Sequence, residues 1–273
     1  MVGASRVSVA FAAGWLAGGS LLLACATLTT DQEQDLGEDA ARALREELDF
    51  VRDPWVVDYV DSLGGQVLRA AGPQPFDFRF HVVRDPELNA FALPAGYIYM
   101  NTGILLQAAN VSELAGVLAH EIGHVALRHV AENYNRQRNT QLAYETASVL
   151  ASVLVGGYAA AGGQMAGQLA AVAYLNQFSR EDEQEADAFA LEILPRAGYD
   201  PNGLLTFFET LQARSGRSGV LAFLASHPTT AARIEAAAAS IAAAPLSGDL
   251  QVSDRGRLQI IQRRIELLGQ ERG

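Results

Sequence analysis

The sequence holds a single cysteine, Cys25, so no disulfide can form within the chain. That does not exclude export, because 273 residues are enough for a sizeable core without covalent staples. Basic side chains are also scarce: 20 lysines and arginines stand against 31 aspartates and glutamates, giving a formal charge of −11 and a pI near 4.9. Phosphate backbones are bound by clusters of Lys and Arg, so no nucleic-acid partner is expected. The hydrophobic share of 49% and the charged share of 19% describe a folded chain and exclude a disordered one. No internal repeat of fixed period is present. Charge is absent altogether from Thr146 to Ser179, long enough to cross a bilayer once. Gly156-Gly157, Gly162-Gly163, Gln164, Gln168, Asn176 and Gln177 interrupt that stretch. The expectation is a closely packed helical pair inside the fold, with a membrane-inserted hairpin as the rival.

Residues 1–24 carry Arg6 as their only charge, followed by an apolar and small-residue run from Val7 to Ala24. A positive start and an apolar stretch are the layout of a secretory signal, with a retained membrane anchor as the competing reading. The run ends in Leu22-Leu23-Ala24-Cys25, which resembles a bacterial lipobox and implies lipidation of Cys25 as the first mature residue. Ala26 in place of an aspartate resembles lipoproteins sorted to an outer membrane. Acyl chains on Cys25 would hold the protein at a membrane and leave the rest soluble. The expected division is a signal peptide over 1–24, a tether over 25–37, a folded domain over 38–244 and a helical extension over 245–273.

Helical patterning runs from Glu38 to about Ala71, broken near Asp53-Pro54. Gly72-Pro73-Gln74-Pro75 then punctuates the chain. Phe76, Phe78, Phe80 and Val82 alternate with more polar neighbours, which predicts a half-buried strand. Short strands are expected at Asn89–Leu93 and Tyr97–Met100, on either side of Pro94-Ala95-Gly96. Leu114, Val117, Leu118, Ile122 and Val125 predict a helix capped by Ser112 and running to about Asn139. Further helices are expected at Arg180–Leu194, Asn202–Ala213 and Thr229–Ala243. Leu258, Ile261, Ile265 and Leu268 predict a docked terminal helix.

His120-Glu121-Ile122-Gly123-His124 is an H-E-x-x-H pattern inside a predicted helix. At about 100° per residue, the two histidines differ by only about 40° and share a face, one turn apart. They can grip a single ion, and Glu121 on the flank can reach a water held there. A catalytic zinc takes three protein ligands and one open position. His129 lies about 180° around an unbroken helix from His120 and so points away. Leu127 and Val130 stand where a metzincin would need Gly and His, which removes that class. Glu183 and Asp187 share a face of the next helix, while Glu185 points elsewhere. One carboxylate of that pair can bind metal, and the other can accept the spare N–H of a ligand histidine.

His120–His124 followed by Ser179-Arg180-Glu181-Asp182-Glu183-Gln184-Glu185-Ala186-Asp187 resembles the HtpX/BepA/LoiP/YcaL type of zinc metallopeptidase. This is peptidase family forty-eight, a gluzincin family that includes the CAAX prenyl and Oma-type proteases. The resemblance makes Glu183 the third ligand and places Asp187 behind a ligand histidine. Two more stretches are similar: Asn89-Ala90-Phe91-Ala92-Leu93-Pro94 with Tyr97–Gly103, and Ser226-His227-Pro228 with Arg233. The resemblance covers roughly residues 30–240 and implies a mostly helical α+β, zincin-like domain. Its small sheet would present an edge strand (Asn89, Ala90, Phe91, Ala92) to the active-site cleft and to extended substrate backbone. It also implies one Zn2+ per chain, Glu121 as general base, and His227 and Arg233 as further catalytic groups. His227 is either a resting-state ligand or a transition-state donor, and Arg233 either a donor or half of a structural ion pair. The expected function is an endopeptidase of the bacterial cell envelope, lipid-anchored and facing the periplasm, acting on unfolded or misassembled proteins. A chaperone-like binding module and an integral-membrane protease are the alternatives.

Overall fold

Thr29 opens the first helix. Its hydroxyl accepts from the Gln32 N–H while its own N–H donates to the Gln32 side chain, a reciprocal cap that starts α1 (Thr30–Glu47). The helix therefore begins well before Glu38, where apolar periodicity alone places it. Asp53 caps α2 (Pro54–Ala71) by accepting from the Trp55 and Val56 N–H groups, and Pro54 fits the first position because no N–H is needed there. The computed structural model describes residues 27–138, 178–214, 226–228, 230–244 and 248–270. The expectations for the signal segment, for Cys25 and for the uncharged stretch up to residue 177 lie outside these residues. Among the described residues, no helix is long and apolar enough to cross a membrane.

Three short strands follow: β1 (Arg79–Val83), β2 (Ala90–Leu93) and β3 (Tyr97–Asn101), in the order β1-β3-β2. β1 runs parallel to β3 and β2 antiparallel to it, joined through a single 3-10 turn at Pro94–Gly96. Ala95 and Gly96 take φ of 61° and 88° there, so the reversal is tight. Both faces of this sheet are covered. Ala90, Ala92, Ile98 and Met100 join the main core with α2, whereas Phe91, Leu93, Tyr97 and Tyr99 meet Ala41 and Leu44 of α1. β1 begins at Arg79, and the expected alternation holds along it, with Phe80 and Val82 buried, Arg79 exposed and His81 half-buried.

After the short α3 (Thr102–Gln107), α4 (Val111–Ala126) runs buried along nearly its whole length. Asn110 caps it and Ser112 does not; the Ser112 hydroxyl instead donates to the Gln251 carbonyl. The chain breaks at Leu127–Arg128 and continues helical over 129–138 (α5), so the single helix expected to Asn139 is two. Along α4 lie α6 (Arg180–Arg196) and α7 (Asn202–Ala213). Gly203 sets the latter contact, since a Cβ there would sit 2.3 Å from the Ser112 carbonyl carbon. α8 (Ala231–Ala243) packs on α6 and α7. α9 (Arg257–Gln270) buries Leu258, Ile261 and Ile265 in the main core beside α2 and α3, about 1.5–3 kcal/mol each at most. The result is the expected α+β class, mostly helical around one small mixed sheet.

Candidate metal centre

His120 and His124 leave one face of α4, and both are buried. Gly123 between them lets α6 approach: a Cβ there would lie 3.2 Å from the Phe189 ring and 3.3 Å from the Ala186 backbone. α6 opens on Ser179, whose hydroxyl accepts from the Asp182 N–H while Asp182 accepts from the Ser179 N–H. That start brings Glu183, in the first turn, over the two histidines. The fourth group is His227, from the segment before α8. His120 Nε2 and His124 Nε2 are 3.1 Å apart, His120 Nε2 and His227 Nδ1 3.3 Å, His124 Nε2 and Glu183 Oε1 3.3 Å, and His227 Nδ1 and Glu183 Oε1 2.9 Å.

This spacing tests whether the residues fit a metal. Four ligands at about 2.1 Å around tetrahedral zinc sit about 3.4 Å from one another. The donor atoms of His120, His124, Glu183 and His227 all fall within 4.8 Å of each other, on four buried residues. Three imidazoles and a carboxylate crowded this closely cannot all pair with one another, but they can share one cation. They fit zinc.

Burial keeps His124 far below the usual histidine range, so its ring stays neutral and its lone pair available. Burial pushes Glu183 up, but His227, His124 and His120 outweigh it and hold the carboxyl well below the usual range. Asp187 lies 3.0 Å from His120 Nδ1, and burial is likewise outweighed there by His120 and Arg233. Arg233 is buried. Its Nε and Nη2 each donate to Asp187 at 2.7 Å, and Nη1 donates to the Pro228 carbonyl and pairs with Glu183. The guanidinium also covers the Phe208 ring at 4.6 Å. Of the two roles considered for Arg233, the ion pair fits these contacts.

Glu121 is fully buried, and neither carboxylate oxygen has a hydrogen bond among the described residues. His227 Nε2 lies 3.5 Å from Glu121 Oε1. Burial raises its carboxyl above the ordinary value, against the pull of His227 and His120. β2 is an edge strand, as expected for Ala90, Phe91 and Ala92, and the Asn89 carbonyl accepts from the Asn101 N–H. His129 departs from expectation. The break at Arg128 turns it inward, so it is buried with Nδ1 3.1 Å from His124 Nδ1 and Nε2 3.3 Å from Glu185 Oε2. No glycine or proline at 127–128 signals that break in the sequence. Phe178 stacks on His124 with ring centroids 3.7 Å apart, a contact that spacing arguments could not reach.

Residues 52–241 match the profile of peptidase family M48. The chain is 34% identical over 218 residues to the beta-barrel assembly-enhancing protease of Escherichia coli (strain K12), covering 76% of this chain and 43% of that protein. It is 34% identical over 197 residues to the protein of the same name in Yersinia pestis, covering 70% and 40%. The mitochondrial metalloendopeptidase OMA1 of Schizosaccharomyces pombe is 34% identical over 177 residues, covering 64% and 50%. The chain thus spans half or less of the length of these relatives. With that profile covering most of the sequence and the His120, His124, Glu183, His227 cluster falling inside it, the chain belongs to peptidase family M48, the zinc metallopeptidases.

Proposed function

We propose that this chain is a zinc-dependent endopeptidase of the bacterial cell envelope that cuts unfolded or misassembled proteins. Glu121 carries the reading. A fully buried carboxylate without a hydrogen-bond partner among the described residues costs the fold several kcal/mol, a cost that a catalytic role would account for. A pure binding module would have no use for it beside three metal donors. His120, His124 and Glu183 would hold a zinc ion, which would lower the pKa of a bound water towards ~7 and polarise the scissile carbonyl. Glu121, made more basic by burial, takes a proton from the attacking water and delivers it to the leaving amine. Asp187 orients His120, and Arg233 holds Asp187 and Glu183 in place. His227 would be the fourth group to hold the metal in a resting state. An extended segment of substrate adds to the edge of β2 at Asn89, Ala90, Phe91 and Ala92, which selects unfolded chain over folded surface. A lipid on Cys25 keeps the enzyme at the outer membrane, facing the periplasm; the names of the bacterial relatives support the envelope setting.

Digestion of casein with and without a chelator, beside Glu121→Gln, tests the reading. Wild type should cleave and the chelator should stop it. Glu121→Gln should keep its zinc and fold and lose about 100- to 10,000-fold in rate. Full turnover in that variant removes the mechanism.

A further inference from the structure

Each imidazole that gives one nitrogen to a metal needs a partner for the other, or it rotates and loses its tautomer. For His120 the partner is Asp187. For His124, no carboxylate is in place at Nδ1 among the described residues. Its Nε2 faces the cluster, and its Nδ1 faces another imidazole, His129 Nδ1, at 3.1 Å. We propose that His129 and Glu185 form a positioning pair for His124, a role that rests on reading His124 as a zinc ligand.

The hydrogen placement follows from the geometry. With Nε2 committed to the metal, the His124 proton sits on Nδ1 and is donated there. His129 Nδ1 must then accept, so its own proton sits on Nε2, directed at Glu185 Oε2 3.3 Å away. Each group in this chain has one consistent role. His129 is buried, whereas the Glu185 side chain is 66% exposed, so the relay ends at the surface.

The backbone is bent to make this contact. Arg128 takes φ of 63°, a left-handed conformation costing about 1 kcal/mol for a residue with a Cβ. It is held there from α1. Arg128 Nε donates to Glu33 Oε2 at 2.9 Å, and Nη2 donates to the Leu28 carbonyl at 2.7 Å. Glu33 is buried, so this is an anchored contact. The turn that re-aims His129 is thus braced by the N-terminal helix. Phe178 closes the other side of His124 by stacking.

The test is a zinc dissociation constant for the full chain, by competition with a chromogenic chelator, with thermal midpoints measured in parallel. His129→Leu keeps the bulk and removes the acceptor, and should weaken zinc about 10- to 100-fold. His129→Asn returns an acceptor oxygen near the Nδ1 position and should bind zinc within about threefold of wild type. Glu185→Leu, at the exposed end, should weaken zinc about three- to fivefold. A constant within about twofold of wild type in folded His129→Leu overturns the proposal, and Glu185→Leu decides it by the same threshold if His129→Leu does not fold. Equal losses in His129→Leu and His129→Asn would assign His129 to packing and also overturn it. A wild-type chain that binds no zinc would instead remove the metal reading itself.

Discussion

Glu183 and Glu185 stand two positions apart on α6 and face different partners: Glu183 points at three histidines of the cluster and Glu185 at His129. Glu183→Ala should lose its zinc, while Glu185→Ala should still bind one zinc per chain at saturating metal. Metal analysis of the two purified variants checks this, and a full zinc complement in Glu183→Ala would sink the ligand assignment. Helical arithmetic made this pair legible, because α6 is unbroken from Arg180 and the angular argument holds along it. The same arithmetic misplaced His129, because it assumed that α4 continues through Leu127 and Arg128. His227 had no local signal at all. Its approach to the cluster depends on how a distant segment folds back, and only the Ser226-His227-Pro228 resemblance pointed to it. If His227 fills the fourth position at rest, His227→Ala should open the site and raise basal cleavage of casein. Parallel rate and zinc measurements check this, and an unchanged rate with unchanged zinc would leave His227 outside the chemistry.

At the scale of elements, helix positions were legible and their starts less so. α4 shows why. Asn110 and Ser112 are both good capping residues, and the choice falls to Asn110 because Ser112 reaches Gln251, 139 residues away in sequence. The sheet is legible from the alternation after Phe76 and from the turn at Pro94-Ala95-Gly96, but its two covered faces depend on α1 and α2 arriving from elsewhere. Asp53 at the head of α2 gives a testable case. The Arg264 guanidinium from α9, against the opposing effect of burial and with help from the Val56 and Trp55 N–H groups, holds its carboxyl below the ordinary value. A depressed carboxyl stabilises the fold above the unfolded-state value near 3.9 and loses that contribution as pH falls through the folded value. Asp53→Ala should therefore cost about 1–2 kcal/mol at pH 7. The gap from wild type should close as pH falls below about 4. Thermal unfolding across pH 3–7 measures this, and a constant gap would show that the cap acts without its charge.

At the scale of the whole molecule, the run up to Cys25 is expected to act as an address, and anchoring is where the protein should differ from its bare domain. Cys25→Ser should shift the protein from the membrane pellet to the carbonate-soluble fraction, which removes the membrane-inserted hairpin, and a carbonate-resistant Cys25→Ser protein would favour a hairpin or a retained anchor. A different consequence follows from where the cluster's donors lie along the chain. His120 and His124 emerge first from the ribosome, Glu183 later, and His227 and the bracing Arg233 last. At about 5–20 residues per second, the roughly 100 residues between the first and last of these take about 5–20 seconds to appear. For roughly the first 60 of those residues, until Glu183 appears, the nascent chain holds the two histidines and the proposed general base without the proposed third ligand. The protein is itself an unfolded polypeptide at that moment, the kind of chain it is proposed to cut. A centre drawn from three separated segments is complete only after all three have been made and packed together, so a partly synthesised chain does not yet hold the whole donor set.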